Sequence, residues 1–279
     1  MNRLRKFLAS ALLFYIPLIA MLLFVLIPFL WTVVTSLKHE KDVLNAVVQY
    51  LPHPATFQNY INVWKAGHFS VYFLNSLLVS ATSVVAIIVL SVLNGYALTR
   101  FNFRGKQLFM IILLCTQLLP AVIFLIPLFL TFKTVGLINT PLSLVVFYVV
   151  MQVPFNTLLM KGFISNIPKQ IDEAAMVDGA TRTTVIFKII LPLILPGLVA
   201  TASFAFIGCW NEFIAAFTFI TSSKFFTIPV GLKFMIGEYD VQYASLAAGS
   251  VIGLVPAVLL FAYVQKYLIQ GLGSGSVKG

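Results

Sequence analysis

Charge is what this sequence lacks most. Only 9% of its 279 residues are Asp, Glu, Lys or Arg, against 60% that are apolar. A soluble domain carries about a quarter charged residues to meet water, so a chain this oily meets lipid over much of its surface. Acids are scarcest, eight against eighteen Lys and Arg, which leaves a net charge of +10. No cluster of Lys and Arg occupies one soluble face, so a nucleic-acid partner is excluded and a basic rim against anionic lipid heads is the plain reading. The two cysteines, Cys115 and Cys209, lie inside apolar runs without metal-ligand spacing or a nearby histidine, and are expected to be small core residues. The three histidines, His39, His53 and His68, are unevenly spaced in one polar stretch and read as solvated rather than metal-binding.

Catalytic signatures are missing as well. There is no G-x-x-x-x-G-K-[ST] phosphate loop; the nearest text, Arg104 to Gln107, lacks its glycine frame. H-E-x-x-H, C-x-x-C and G-x-S-x-G do not occur. The chain therefore has no catalytic centre and no metal site to offer, and does not hydrolyse ATP alone. Energy for any work comes from an ion gradient or another subunit.

What is present is hydrophobic length. Apolar runs over 8–34, 71–97, 108–132, 142–160, 189–220 and 246–269 each reach the roughly twenty residues a helix needs to cross hydrocarbon. Uninterrupted runs without alternation favour helices over a barrel, because a backbone in lipid must satisfy its own hydrogen bonds. The first run is too long for a signal-peptide core and is expected to be an uncleaved span. The fold class is thus an all-α membrane protein with six transmembrane helices in one domain, 1–279. Twelve of the eighteen Lys and Arg residues, all five arginines among them, fall on the side of the two termini. The positive-inside rule makes that side cytoplasmic. Prolines inside the runs, Pro17, Pro28, Pro120, Pro127, Pro154, Pro192, Pro196 and Pro256, are tolerated there as kinks.

One polar passage, 165–188 between the fourth and fifth runs, breaks this pattern. Pro168 suits a first helical turn, Asp172 and Glu173 sit near its positive end, and Gly179 is a left-handed stop. Thr181 is placed to cap a second short helix, with Pro192 and Pro196 bending the entry to the fifth run. Helical spacing groups Ile171, Ala174, Ala175 and Asp178 on one side, with Glu173 nearly opposite. An amphipathic loop that merely joins two spans has the same composition.

The spacing is more specific. Glu173-Ala174-Ala175, three residues, Gly179, nine residues, Ile189, one residue, Leu191-Pro192 matches E-A-A-x3-G-x9-I-x-L-P at every fixed position. Here the chain resembles the membrane-spanning permeases of binding-protein-dependent ABC importers. Residues 73–106, Cys209 to Phe217, Phe226 to Met235 and the ending 271–279 resemble the carbohydrate-uptake branch, of the maltose-transporter type. Ser274 and Ser276 depart from the usual tail. The resemblance implies a coupling helix between spans 4 and 5 that docks on a cytoplasmic ATPase. Glu173 would meet a basic group there, Ala174 and Ala175 allow close approach, Gly179 makes the turn, and Asp178, Ile189, Leu191 and Pro192 complete the insert. It implies a second homologous permease, two copies of the ATPase, an extracytoplasmic solute-binding protein and a sugar substrate. No cofactor belongs to this chain, ATP and Mg being held by the ATPases, and the location is a bacterial inner membrane.

For a substrate pathway the candidates are Glu212, Asn211, Trp210, Asn156, Gln152 and Tyr148. An acid inside a span faces protein or a wet cavity, and the amides either serve sugar hydroxyls or link helices. Polar stretches at 38–70 and 221–245, the latter with Glu238 and Asp240, are the expected outer surfaces. A stand-alone secondary transporter or channel, or an ABC permease for a non-sugar solute, is the competing reading.

Overall fold

The computed structural model describes residues 2–45, 47–66, 68–237 and 241–273, with side chains over 12–45, 47–65, 68–237 and 241–267. Glu238, Asp240 and the tail from 274 lie outside the described residues. The regular structure is helical, and among the described residues the one extended pairing is an isolated bridge between Ile236 and Val241. In chain order the helices are α1 (Asn2–Ser36), α2 (Glu40–Val43), α3 (Gln58–Ala66), α4 (Phe69–Arg100), α5 (Lys106–Leu118), α6 (Leu125–Thr134), α7 (Pro141–Ser165), α8 (Lys169–Val177), α9 (Arg182–Thr184), α10 (Leu191–Leu193), α11 (Leu195–Trp210), α12 (Ile214–Phe219), α13 (Ile228–Phe234) and α14 (Tyr243–Gly273). Four helical stretches, Leu12–Ser36, Phe69–Arg100, Pro141–Ser165 and Tyr243–Tyr267, are individually long and apolar enough to cross a membrane. Two bent pairs, Lys106–Leu118 with Ala121–Thr134 and Arg182–Leu193 with Leu195–Trp210, reach that length only together.

Both bends have local causes. The 108–132 run was expected as one helix, but it turns by 99° after Leu118. Leu119 is extended, at φ −90° and ψ 125°, because the ring of Pro120 disfavours a helical residue before it. A 3₁₀ turn over Ala121–Phe124 then leads into α6. The fifth run turns by 85° between Leu193 and Leu195, where Pro192 and Pro196 deny backbone donors on either side. Just before it, Val185–Ile190 is a π-helical turn.

The chain forms two compact units, 1–69 with 232–254 and 70–231 with 255–279. In the first, α3 finishes α1: the Asn59 amide donates to the carbonyls of Ser36 and Lys38 at 2.8 and 2.7 Å, and the Ser36 and Tyr60 hydroxyls share a 2.6 Å bond. Those carbonyls are the ones a helix C-terminus leaves unpaired. Along α1 no residue from Leu12 to Thr35 is buried; Ser36, where α3 packs on, is the first that is.

The second unit packs on small residues. A Cβ on Gly95 of α4 would stand 2.9 Å from both the Lys161 nitrogen and the Met160 Cβ of α7. One on Gly208 of α11 would meet the Gln152 amide, and one on Gly197 the Phe163 ring at 2.4 Å. Without a hydrophobic drive between helices in lipid, such close approach supplies the dispersion contact that holds them. Cys209 is buried, as expected, but Cys115 is exposed on α5. A lipid-facing position is as apolar as a core one, so composition carries no mark of which side faces inward.

Candidate functional site at the polar insert

The insert is a helix, a tight turn and a second helix, and each boundary is set by one residue. Pro168 stands at the entry to α8, extended at φ −57° and ψ 135°, just outside the helix rather than within its first turn. At the other end Gly179 has φ +86°. Its N–H donates to the Met176 carbonyl at 3.1 Å, and that of Ala180 to the Ala175 carbonyl at 2.9 Å. These paired bonds close the helix in a Schellman turn, which needs the left-handed conformation that glycine adopts without strain. Thr181 then caps α9, its hydroxyl accepting from the Thr184 N–H at 3.3 Å.

The two sides of α8 differ sharply. Asp172 is buried and faces α4. Its carboxylate accepts from Arg100 Nε and Nη2, both at 3.0 Å, and from the Tyr96 hydroxyl at 2.9 Å. The same Nη2 donates to the Ile167 carbonyl at 3.1 Å. Both side chains of this ion pair are nearly closed to solvent, 6% and 5% exposed. Nothing in the sequence marked the pair: Asp172 read as a first-turn acid and Arg100 as one basic residue among several. The two lie 72 positions apart.

Ala175 turns the same way as Asp172 and, with Ala180, packs against a buried cluster of Val92 and Tyr96 from α4, Met160 and Ile164 from α7, and Val185, Ile186, Ile190 and Ile194 from the stretch that leads out of the insert into α11. Ile189 and Leu191 lean on the same cluster, while Pro192 is exposed. The opposite side of α8 presents Glu173, Ala174, Met176, Val177 and Asp178 to the outside. Val177 is 87% exposed, unusually open for an apolar residue in so small a helix. The buried side is therefore not the Ile171, Ala174, Ala175, Asp178 face that spacing grouped together. An ion pair draws Asp172 inward and rotates the helix about its own axis, which spacing alone does not register. Among the described residues Glu173 has no ion pair.

The second group of candidates is partly assembled. Tyr148 of α7 is buried and its hydroxyl donates to Glu212 Oε2 at 3.2 Å. The Glu212 carboxyl oxygens also accept from the backbone N–H groups of Ala215 and Ala216 at 2.8 and 3.1 Å, closing the first turn of α12. This acid thus bridges α7 and α12 across the break after Trp210. Trp210 is buried, stacked on Phe206 at 5.4 Å and edge-on to Phe73 at 5.8 Å. Asn156 is buried and donates to the Gln152 carbonyl at 2.7 Å, one turn back on α7. Asn211 is the exposed member. Glu212 and Tyr148 are brought together; Gln152 and Asn156 form a separate pair.

Residues 87–273 match the family described as binding-protein-dependent transport system inner membrane component. The chain belongs to this family. As a member it is 33% identical over 279 residues to the trehalose/maltose transport system permease protein of Thermococcus litoralis, covering 99% of each chain. It is 32% identical over 254 residues to the sulfoquinovosyl glycerol transport system permease protein of Agrobacterium fabrum, covering 91% of this chain and 89% of that one. Its fold is that of a chain from a bacterial ABC transporter involved in the import of the acidic polysaccharide alginate, with a TM-score of 0.82 at 23% identity over 95% of this chain and 97% of the other. An inner-membrane transport component is what the apolar spans and the E-A-A insert led one to expect.

Proposed function

We propose that this chain is the membrane-spanning subunit of an ATP-driven importer for a sugar or oligosaccharide, and that its insert is the handle by which a cytoplasmic ATPase drives it. The observation that carries the reading is the two-sidedness of α8. One side is fixed by a buried ion pair and an apolar cluster, and the other offers Glu173 and Ala174 to the outside. A handle needs both properties: a grip open to a partner and a rear surface that passes displacement on. Alanine lets a foreign backbone come close, and the free carboxyl group is suited to a basic residue of the partner.

In this arrangement each bent pair counts as one crossing, giving six in a single domain of a bacterial inner membrane. Both termini and the insert are cytoplasmic, supported by the excess of Lys and Arg on that side. The working complex contains a second homologous permease, two ATPase copies that hold ATP and Mg, and an extracytoplasmic solute-binding protein. Sugar as the solute class is supported by the trehalose/maltose relative. Asp178 and Gly179 shape the docking surface, and Ile189, Leu191 and Pro192 carry its movement into α11. Along the pathway, Asn211 is open to solute, while Tyr148, Glu212 and Trp210 set the wall that positions it, with Gln152 and Asn156 behind.

The test is mass spectrometry of what co-purifies with the tagged chain after gentle solubilisation. The proposal expects an ATPase and a second permease in stoichiometric amounts. An ATPase-free preparation that moves solute in vesicles would establish the stand-alone transporter instead.

A further inference from the structure

We infer that α4 and the insert move as one body, and that Arg100 and Asp172 are the positioning residues that clasp them together. The inference rests on the docking reading above and names the route by which the handle reaches the bundle.

Two consecutive residues, the last of α4 and the one that follows it, hold two different halves of the insert. Arg100 takes the half before the Gly179 turn, through its paired 3.0 Å bonds to Asp172 and a 3.1 Å bond to the Ile167 carbonyl. Phe101 takes the half after it, its ring lying 4.6 Å beneath the Arg182 guanidinium. A planar guanidinium bonded twice to one carboxylate fixes orientation as well as distance. Tyr96, one turn earlier on α4, donates to the same carboxylate and stops it from swinging. With both partners closed to water, no solvent molecule stands ready to replace either one. A single bond would leave the insert free to pivot; attachment on both sides of its turn does not.

The connection from the insert to α11 is of another kind. It runs through a π-helical turn and an 85° bend flanked by prolines, the sort of element that absorbs rotation. Displacement of α8 therefore reaches α4 through the clasp, and α7 through the short 166–168 link and the cluster of Met160 and Ile164. The two receiving helices are themselves tied, because at Gly95 the α4 backbone bears directly on Met160 and Lys161. The fifth run follows through its bend instead of leading.

Paired nitroxide labels at Leu93 on α4 and Gln170 on α8, both exposed, read this directly in the purified complex in nanodiscs. A cysteine-free background carries the labels, and pulsed electron resonance measures the distance with and without trapped ATP. The clasp predicts one narrow distance that ATP does not move. With Asp172→Asn the distribution broadens and its peak shifts on ATP addition. The exchange Arg100→Asp with Asp172→Arg narrows it again, which a purely folding role for either residue does not predict. Tyr96→Phe, which keeps the ring and its packing, gives an intermediate width. A wild-type distance that shifts with ATP overturns the inference whatever the variants do, because the insert would then slide past α4. If no ATPase accompanies the wild-type chain, the docking reading fails. The clasp is still tested by the nucleotide-free width and its response to Asp172→Asn.

Discussion

Replacing Glu212 by glutamine tests the geometry at the break between α11 and α12 with little change in shape. Both carboxyl oxygens are in use: Oε1 accepts from Ala215 N–H, and Oε2 from Ala216 N–H and the Tyr148 hydroxyl. Glutamine keeps one acceptor and puts an NH₂ group where the other stood, so one backbone donor faces another donor. Ala215 and Ala216 are fully buried, so water does not fill the gap. A buried donor left without a partner costs about 1–3 kcal/mol. Taking about 2 kcal/mol, the local opening equilibrium of this turn rises roughly 30-fold. Hydrogen exchange with residue-level resolution reads it at the two amides concerned. Ala215 and Ala216 exchange about 30-fold faster in Glu212→Gln under conditions where the turn recloses faster than an open amide exchanges, while amides in the middle of α7 keep their rates. Unchanged exchange at both positions would refute the capping role. It would also return Glu212 to the standing of a free acid in the pathway.

Three further substitutions separate local causes. Gly95→Ala gains helix propensity of about 0.5–1 kcal/mol but drives its methyl against α7 backbone, an overpacking cost of about 1–3 kcal/mol; the thermal midpoint of the solubilised protein should fall. Gly162→Ala, on α7 with nothing within 4 Å of the new Cβ, has the same propensity gain and no clash, so its midpoint should rise. Gly179→Val places a branched residue at φ +86°, at a cost of about 1–2 kcal/mol. The expected result is a complex that retains less ATPase on purification with the same amount of chain in the membrane.

Sequence and structure agree where a signal is local. Hydrophobic length locates the helices because a span is defined by its own residues, and Pro120, Gly179 and Thr181 act on neighbours one to three positions away. The agreement ends where a side chain is claimed from far along the chain. Arg100 and Asp172 have no local signature as partners, yet their pairing decides which side of α8 is buried. Glu212 is a middle case. Its reach to the third and fourth following N–H groups is a local pattern, visible once the break after Trp210 is known. Its bond to Tyr148 crosses 64 residues and is not. Cys115 illustrates the limit set by lipid, where inward and outward positions share one chemistry.

The claim at the centre of this account is that the open side of α8 grips an ATPase. A photo-crosslinking amino acid at position 173, introduced in native membranes and irradiated before solubilisation, tests it most directly, with position 24 on exposed α1 as the control. The account predicts a crosslink from 173 to a cytoplasmic ATPase and none to that protein from 24. Crosslinks from 173 confined to lipid or to this chain itself would contradict it.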